Sequence, residues 1–228
     1  MRLDKFLSLN GYGSRKTVKE LIRKGRVSVN GNTIKNDDHK IDENIDEVFI
    51  FDNNVEYKEY KYFMLNKPKG YLSAARDSYH QTVMDLIFED TKNLFLVGRL
   101  DIDTEGLLLI TNNGQLAHKL LSPKNEITKK YYVEFEGSFL DEYYQNFEEG
   151  IILEDGYKTK PATIKILKKG TCYLSIHEGK FHQVKRMFKA LKMEVKYLKR
   201  VAFGSLELDQ SLKLGEYREL TEEEIRQL

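Results

Sequence analysis

Four large aliphatic residues in a row, Leu107-Leu108-Leu109-Ile110, constrain this 228-residue chain more than any other feature. Gly106 precedes them and the polar group Thr111-Asn112-Asn113-Gly114 follows, so the run has strand length and turn signals at both ends. A run without alternation cannot keep one face in water, which predicts a buried strand inside a substantial core. It falls far short of the roughly 20 apolar residues of a membrane helix, and no stretch of the chain approaches that length. Hydrophobic residues make up 40% of the sequence, enough to supply such a core and to exclude wholesale disorder. Asp4 and Lys5 sit where a secretory leader would need apolar residues. The single cysteine, Cys172, can form neither an internal disulfide nor a cysteine-based zinc site. The expectation is a soluble cytoplasmic protein with no membrane segment.

The net charge of +1 hides a segregated distribution. Met1–Gly31 holds eight bases against Asp4 and Glu20, and Asn36–Glu59 holds nine acids against Lys40 and Lys58. Gly179–Arg200 again holds eight bases, opposed by Glu194 alone. Two basic blocks separated by an acidic one predict two surfaces that grip one polyanion. The plain alternative for either block alone is a solvated, Lys-rich helix face.

The N-terminal segment reads as two helices and a hairpin. Leu3, Phe6 and Leu7 share one helical face, Ser14 is placed to cap a second helix with Val18, Leu21 and Ile22 on its apolar side, and Gly25 is a stop. Val27 and Val29 alternate with polar residues before Asn30-Gly31, the signature of a type I′ hairpin. Arg15, Lys16, Lys19, Arg23 and Lys24 face outward, and a module this small must lean on its own hairpin and the strand that follows. Met1-Arg2-Leu3-Asp4-Lys5-Phe6-Leu7, then Ser14-Arg15 and Val27-Ser28-Val29-Asn30-Gly31, resemble the S4-type RNA-binding domain, with the domain at residues 1–52. The resemblance implies that Arg2, Arg15, Lys16, Lys19 and Arg23 meet structured RNA.

Residues 53–60 are polar and without period, and read as a linker to a second domain at 61–228. There, strand-like runs at 62–66, 94–97, 107–111, 130–136, 162–167, 172–177 and 201–208 mix with helical patterns at 82–88, 115–121, 140–150 and 181–192. Without regular βαβ alternation, the prediction is an α+β fold with a mixed, largely antiparallel sheet.

Between the strand ending at Gly98 and the buried run lie Arg99, Asp101, Asp103, Thr104 and Glu105. Four explanations compete. An ordinary Asp/Thr turn is the first. An EF-hand loop is the second, and it fails because position 12 is Asn112 and the flanks are strand-like. Paired carboxylates are the third; Asp101 and Asp103 at i and i+2 would point to opposite faces of an extended chain. The fourth is one Asp acting alone as nucleophile or base, which requires a nearby cation and an aromatic wall for a planar substrate. His177 and His182 read as surface or capping residues.

The stretch from Gly98-Arg99-Leu100-Asp101 to Gly114 resembles the catalytic motif of RsuA-type pseudouridine synthases. Asn66-Lys67-Pro68-Lys69-Gly70, Lys129-Lys130-Tyr131, Gly179–Met187 and Arg200–Gly204 match further motifs of that family in order, behind the S4-type module that is its usual companion. Lys180-Phe181 departs mildly from the commoner Arg followed by Tyr or Asn. The resemblance implies isomerisation of a ribosomal uridine without a cofactor: the N-glycosidic bond breaks, uracil turns, and C5 rejoins the ribose. It implies Asp101 as the essential aspartate, Lys185 as its cationic partner with Arg186 as the neighbouring candidate, and Tyr131 as the ring stacked on uracil. Whether Asp101 attacks the ribose or the base, or removes a ribose proton, stays open.

By the same resemblance, Arg99, Lys67 and Arg186 contact RNA, and the target nucleotide must leave its stack or lie in a loop. The sequence most resembles the small-subunit branch, which implies the uridine-516 activity on 16S rRNA, with free 16S rRNA or a small-subunit assembly intermediate as the partner and a monomer as the working form. The alternatives are a 23S rRNA target or a non-catalytic, rRNA-binding assembly factor.

Overall fold

The computed structural model describes residues 1–55, 60–88, 91 and 93–228. The chain forms two compact units, Met1–Tyr60 and Lys61–Leu228. Among the described residues, no helix is long and apolar enough to cross a membrane.

The first unit follows its local signals closely. Helices α1 (Leu3–Leu9) and α2 (Arg15–Arg23) start where expected, and the Ser14 hydroxyl accepts the Thr17 amide at 3.2 Å. Strands β1 (Val27–Val29) and β2 (Asn32–Ile34) join through Asn30 and Gly31, whose φ angles of 49° and 76° are those of a type I′ turn. Strand β3 (Val48–Ile50) pairs with β1, and β4 (Asn53–Asn54) completes a four-stranded antiparallel sheet in the order β2-β1-β3-β4. Leu3, Phe6, Leu7, Val18 and Ile22 pack on Val27, Val48 and Ile50. The domain boundary expected at 52/53 is therefore too early. Phe51 and Asp52, both at positive φ, turn the chain back so that Asn53–Asn54 bind the open edge of β3, and Val55 buries its side chain in the same core. Residues 56–59 of the expected linker lie outside the described residues.

The second unit is built on a sheet of nine described strands, with the path β13 (Tyr217–Glu219), β5 (Tyr62–Lys67), β7 (Glu105–Thr111), β11 (Glu194–Phe203), β8 (Lys129–Glu136), β10 (Thr171–Ile176) and β9 (Thr163–Lys168). Its centre is β7 (Glu105–Thr111), buried at every position. On one edge it pairs with β5 (Tyr62–Lys67); on the other, β11 (Glu194–Phe203) takes its first two residues and β6 (Phe95–Val97) its last three. Leu108 and Ile110 enter a core that also holds Val133, Leu174, Val184 and Phe188, whereas Leu107 and Leu109 enter a second one with Leu120, Phe203 and Leu206. Helices α4 (Glu142–Glu149) and α5 (Gln183–Ala190) contribute to the first core, and α3 (Gly114–Leu121) and α6 (Glu222–Arg226) to the second. Both faces of β7 are thus covered, which is why its apolar run does not alternate; each such side chain contributes about 1.5–3 kcal/mol when fully buried.

The remaining strands are β8 (Lys129–Glu136), β9 (Thr163–Lys168), β10 (Thr171–Ile176), β12 (Leu206–Glu207) and β13 (Tyr217–Glu219). All their pairings are antiparallel; β7 with β11 is the parallel pair of this largely antiparallel α+β unit. The strand expected at 201–208 in fact begins at Glu194 and turns back before Leu206. Its charges (Glu194, Lys196, Lys199, Arg200) conceal the strand pattern.

Candidate active site

The loop from Arg99 to Thr104, between β6 and β7, hangs from one neighbouring segment. The Lys67 ammonium, at the end of β5, donates to the carbonyls of Pro68 (3.0 Å), Asp101 (3.1 Å), Ile102 (3.4 Å) and Thr104 (2.9 Å). The Gly70 amide donates to the Ile102 carbonyl at 2.7 Å. The Ser73 hydroxyl donates to the Leu100 carbonyl (2.7 Å) and accepts the Leu100 amide (3.1 Å). Lys67 is fully buried, and that burial, only partly offset by Asp103, Glu105 and Asp101, pulls its pKa down to about 8. The expectation that Lys67 touches RNA is therefore corrected: its ammonium is enclosed by backbone carbonyls, and it positions the loop.

Held this way, the loop is turned, with the Thr104 amide donating to the Asp101 carbonyl at 3.1 Å. Asp101 and Asp103 do not diverge as an extended chain would require. Both converge on Lys185 of α5, whose ammonium lies 3.1 Å from Asp101 Oδ2 and 2.6 Å from Asp103 Oδ1. Burial would lower the Lys185 pKa, but hydrogen bonds and charge from both carboxylates outweigh it and hold it above the ordinary lysine value. Burial acts to raise the Asp103 pKa, and Lys185 overrides it, leaving Asp103 below the usual carboxylate range.

Asp101 is about three-quarters covered, with 26% of its side chain exposed. It shares a small pocket of about 70 Å³ with Arg99, Tyr131, His182 and Val184, and this adjoins a larger cleft of about 820 Å³ that includes Asp103, Phe181 and Lys185. Tyr131, on β8, is 7% exposed, and burial raises its hydroxyl pKa despite the nearby Arg200. Arg99 is exposed at the cleft and has no ion pair among the described residues. Arg186, the alternative partner for Asp101, turns away to Asp155 at 2.5 Å and to the Phe181 carbonyl at 3.5 Å. One position along α5 is a rotation of about 100°, which is why neighbouring cations face different elements.

The five candidate RNA-binding bases of the first unit divide. Arg2 binds Asp4 at 2.9 and 3.0 Å and also pairs with Asp38; Lys19 lies 3.8 Å from Asp4 and 3.5 Å from Asp37; Arg23 lies 2.8 Å from Asp37. Acids of the 36–59 block thus fold back onto the basic helices. This corrects the picture of a separate acidic stretch, because Asp37 and Asp38 offset charge within the patch itself. Arg15 and Lys16 are exposed, with no ion pair among the described residues, and share a groove of about 660 Å³ with Met1, Arg2, Lys5 and Lys19.

Two groups near the site do not stand out in the sequence. His182, which reads as a surface or capping residue, has φ 47°, offers no side-chain cap to α5, stacks on the exposed Phe181 ring at 3.8 Å and places Nε2 3.7 Å from Asp101 Oδ1. Its place three residues before Lys185 is the signal that could have found it. Glu178 organises the loop before α5 by accepting from Tyr157 Oη (2.7 Å), the Lys160 amide (2.9 Å) and Gln183 Nε2 (3.0 Å); no local pattern reports such contacts.

Comparison with known proteins gives a consistent result. The family described as RNA pseudouridylate synthase matches residues 61–190, and the S4 domain matches residues 1–44. An uncharacterized RNA pseudouridine synthase of Bacillus subtilis is 48% identical, covering 100% of this chain and 98% of its own. The ribosomal small subunit pseudouridine synthase A of Salmonella typhimurium is 41% identical (99% and 98% covered), and the ribosomal large subunit pseudouridine synthase B of Bacillus subtilis is also 41% identical (100% and 95% covered). A crystal structure of a pseudouridylate synthase superposes with a TM-score of 0.71 at 38% identity, covering 100% of this chain and 99% of the other.

Proposed function

From the premise that the chain belongs to the RNA pseudouridylate synthase family and carries an S4 domain, we propose that it isomerises one uridine of 16S rRNA, with Asp101 as the reacting carboxylate. The observation that carries this reading is the Lys185 ammonium 3.1 Å from Asp101 Oδ2, beside a pocket that Asp101 shares with Tyr131. The uridine is drawn out of its stack into the cleft, where Tyr131 supplies an aromatic face for the uracil. Asp101 acts on the bound nucleoside as the N1–C1′ bond breaks. Lys185 compensates the carboxylate and holds its orientation, and the freed base turns within the cleft beside it. The C5–C1′ bond then forms, C5 gives up its proton and N1 takes one, so the product is an isomer and nothing is consumed. Arg99 at the cleft, with Arg15 and Lys16 on the first unit, contacts the RNA strand. The small-subunit rRNA, free or in an assembly intermediate, is the partner, and uridine 516 is the proposed position.

The equal identity to a large-subunit enzyme favours one second reading, a target in 23S rRNA. Mapping pseudouridines in rRNA from cells lacking the protein, then complemented with wild type or Asp101→Asn, tests both. A single site lost from 16S rRNA, restored by wild type and not by Asp101→Asn, is the expected result. Loss from 23S rRNA moves the target to the large subunit. Restoration by Asp101→Asn would sink the assignment of Asp101 and favour a non-catalytic assembly role. Purified Asp101→Asn should bind the RNA within about twofold of wild type, since phosphate contacts supply most of the affinity.

A further inference from the structure

A second cavity, of about 310 Å³, adjoins the small pocket and shares Arg99, Tyr131, Gly179 and Lys180 with it. Its wall is unusual in charge. Arg200 is 2% exposed, donates Nε–H to the Leu107 carbonyl at 2.8 Å, interacts with the Tyr131 hydroxyl, lies 5.0 Å from the centre of the Phe203 ring and leaves the enclosed Nη2 without a hydrogen-bond partner. The Lys129 ammonium stands over the same ring at 5.5 Å and donates to the Ile127 carbonyl at 2.7 Å. Neither cation has a carboxylate within ion-pair distance among the described residues. Glu178, the carboxylate on this wall, is already occupied by three donors, and Lys160 at the wall is paired with Glu126 at 2.7 Å.

A buried guanidinium with an unpartnered nitrogen is costly, and a half-buried ammonium beside it repels it. Burial and the neighbouring Arg200, only partly offset by Glu178, draw the Lys129 pKa down to about 8. An anion placed between them would remove both costs. The shared Tyr131 and Arg99 put this cavity next to the place where the target uridine would sit, and the anion that always lies next to a nucleotide in RNA is its backbone phosphate.

We propose that this cavity binds the phosphodiester joining the target uridine to its neighbour, with Lys129 and Arg200 as the counter-charges. The proposal rests on the reading of the cleft as a uridine-isomerising site and names the adjoining subsite of the same substrate. Free inorganic phosphate offers the same chemistry, so the test separates the two sources.

The full-length protein and Lys129→Gln, compared for equal thermal unfolding, are assayed on an oligoribonucleotide containing the mapped uridine. One set is natural; two others carry a neutral methylphosphonate at the linkage 5′ or 3′ of that uridine. Wild-type kcat/KM should fall about tenfold with one of the neutral linkages, the low end for losing a charge-assisted hydrogen bond. Lys129→Gln should start about tenfold lower on natural RNA and lose less than about twofold more. Equal losses in both proteins, or a Lys129→Gln variant as active as wild type, would overturn the proposal. Inhibition by inorganic phosphate that weakens in Lys129→Gln, with an unchanged response to the neutral linkages, would assign the cavity to a free anion and overturn it too. If wild type forms no pseudouridine, the function fails first, and binding still tests the cavity: the slope of log affinity against log salt should shrink by about 0.7 in Lys129→Gln. An unchanged slope counts against it.

Discussion

One ammonium serves two carboxylates in the cleft, and the two are not equivalent. Asp103 has 64% of its side chain exposed, against 26% for Asp101, so water screens its ion pair with Lys185 far more. Asp103→Asn should cost less than about fivefold in kcat, in line with a surface ion pair. Lys185→Gln should cost about 10²–10³-fold, the scale of losing a placed electrostatic partner at a reacting group. Single-turnover rates at saturating RNA measure both, and equal losses would contradict this asymmetry. Lys67 makes a prediction in pH. Its pKa is about 8 in the fold, against 10.5 ordinarily. Between those values the folded state has already released the proton that the unfolded state still holds, so folding gains as pH rises through that window and loses the gain as pH falls back through 8. The difference in Tm between wild type and Lys67→Met should therefore shift in favour of wild type from pH 8 toward pH 10 and stay level below pH 7.5. A difference that does not change with pH would refute it.

At the scale of elements, the start of β7 decides how closely the sheet can approach the loop. Gly106 has φ 100°, and a Cβ there would lie 2.2 Å from the Arg200 carbonyl oxygen, a contact with backbone that cannot swing aside. Gly106→Ala should lower Tm by roughly 10 °C, corresponding to about 3 kcal/mol or more in a chain of this size; an unchanged melting curve would contradict the tight β7–β11 approach. Elements that local sequence declares are legible from it: the Asn30-Gly31 turn and the Ser14 cap rest on contacts within a few residues, and the unbroken apolar run of β7 announces its own burial. What sequence misreads rests on long-range contacts. Lys67 reads as a surface cation until the carbonyls of Asp101 and Thr104, 34 and 37 residues on, are seen to enclose it. Asp101 and Asp103 read as divergent until that same anchoring bends the loop. The strand from Glu194 to Phe203 is hidden because its cations read as a binding surface, although Arg200 is buried beneath the sheet's own neighbours. The candidate site is legible in kind, through Asp101, Tyr131 and Lys185; which neighbouring cation faces the aspartate becomes clear only with α5 in place.

For the whole molecule, the two units have separate cores, and binding and chemistry should separate with them. Replacing Arg15 and Lys16 together by Gln should reduce the salt slope of RNA affinity by about 0.7–0.9 for each phosphate left without its cation. The single-turnover rate at saturating RNA should remain within about twofold, because neither side chain belongs to the second unit. Nitrocellulose-filter binding across a salt series, paired with rapid quench, measures both quantities. A collapsed rate with an unchanged slope would reverse the assignment of roles. The anchoring of residues 99–104 to Lys67, Gly70 and Ser73 then acquires a historical meaning. Since that scaffold presents its acid from contacts wholly internal to one unit, a descendant could be redirected to another RNA by altering its outer surfaces, leaving the inherited centre untouched.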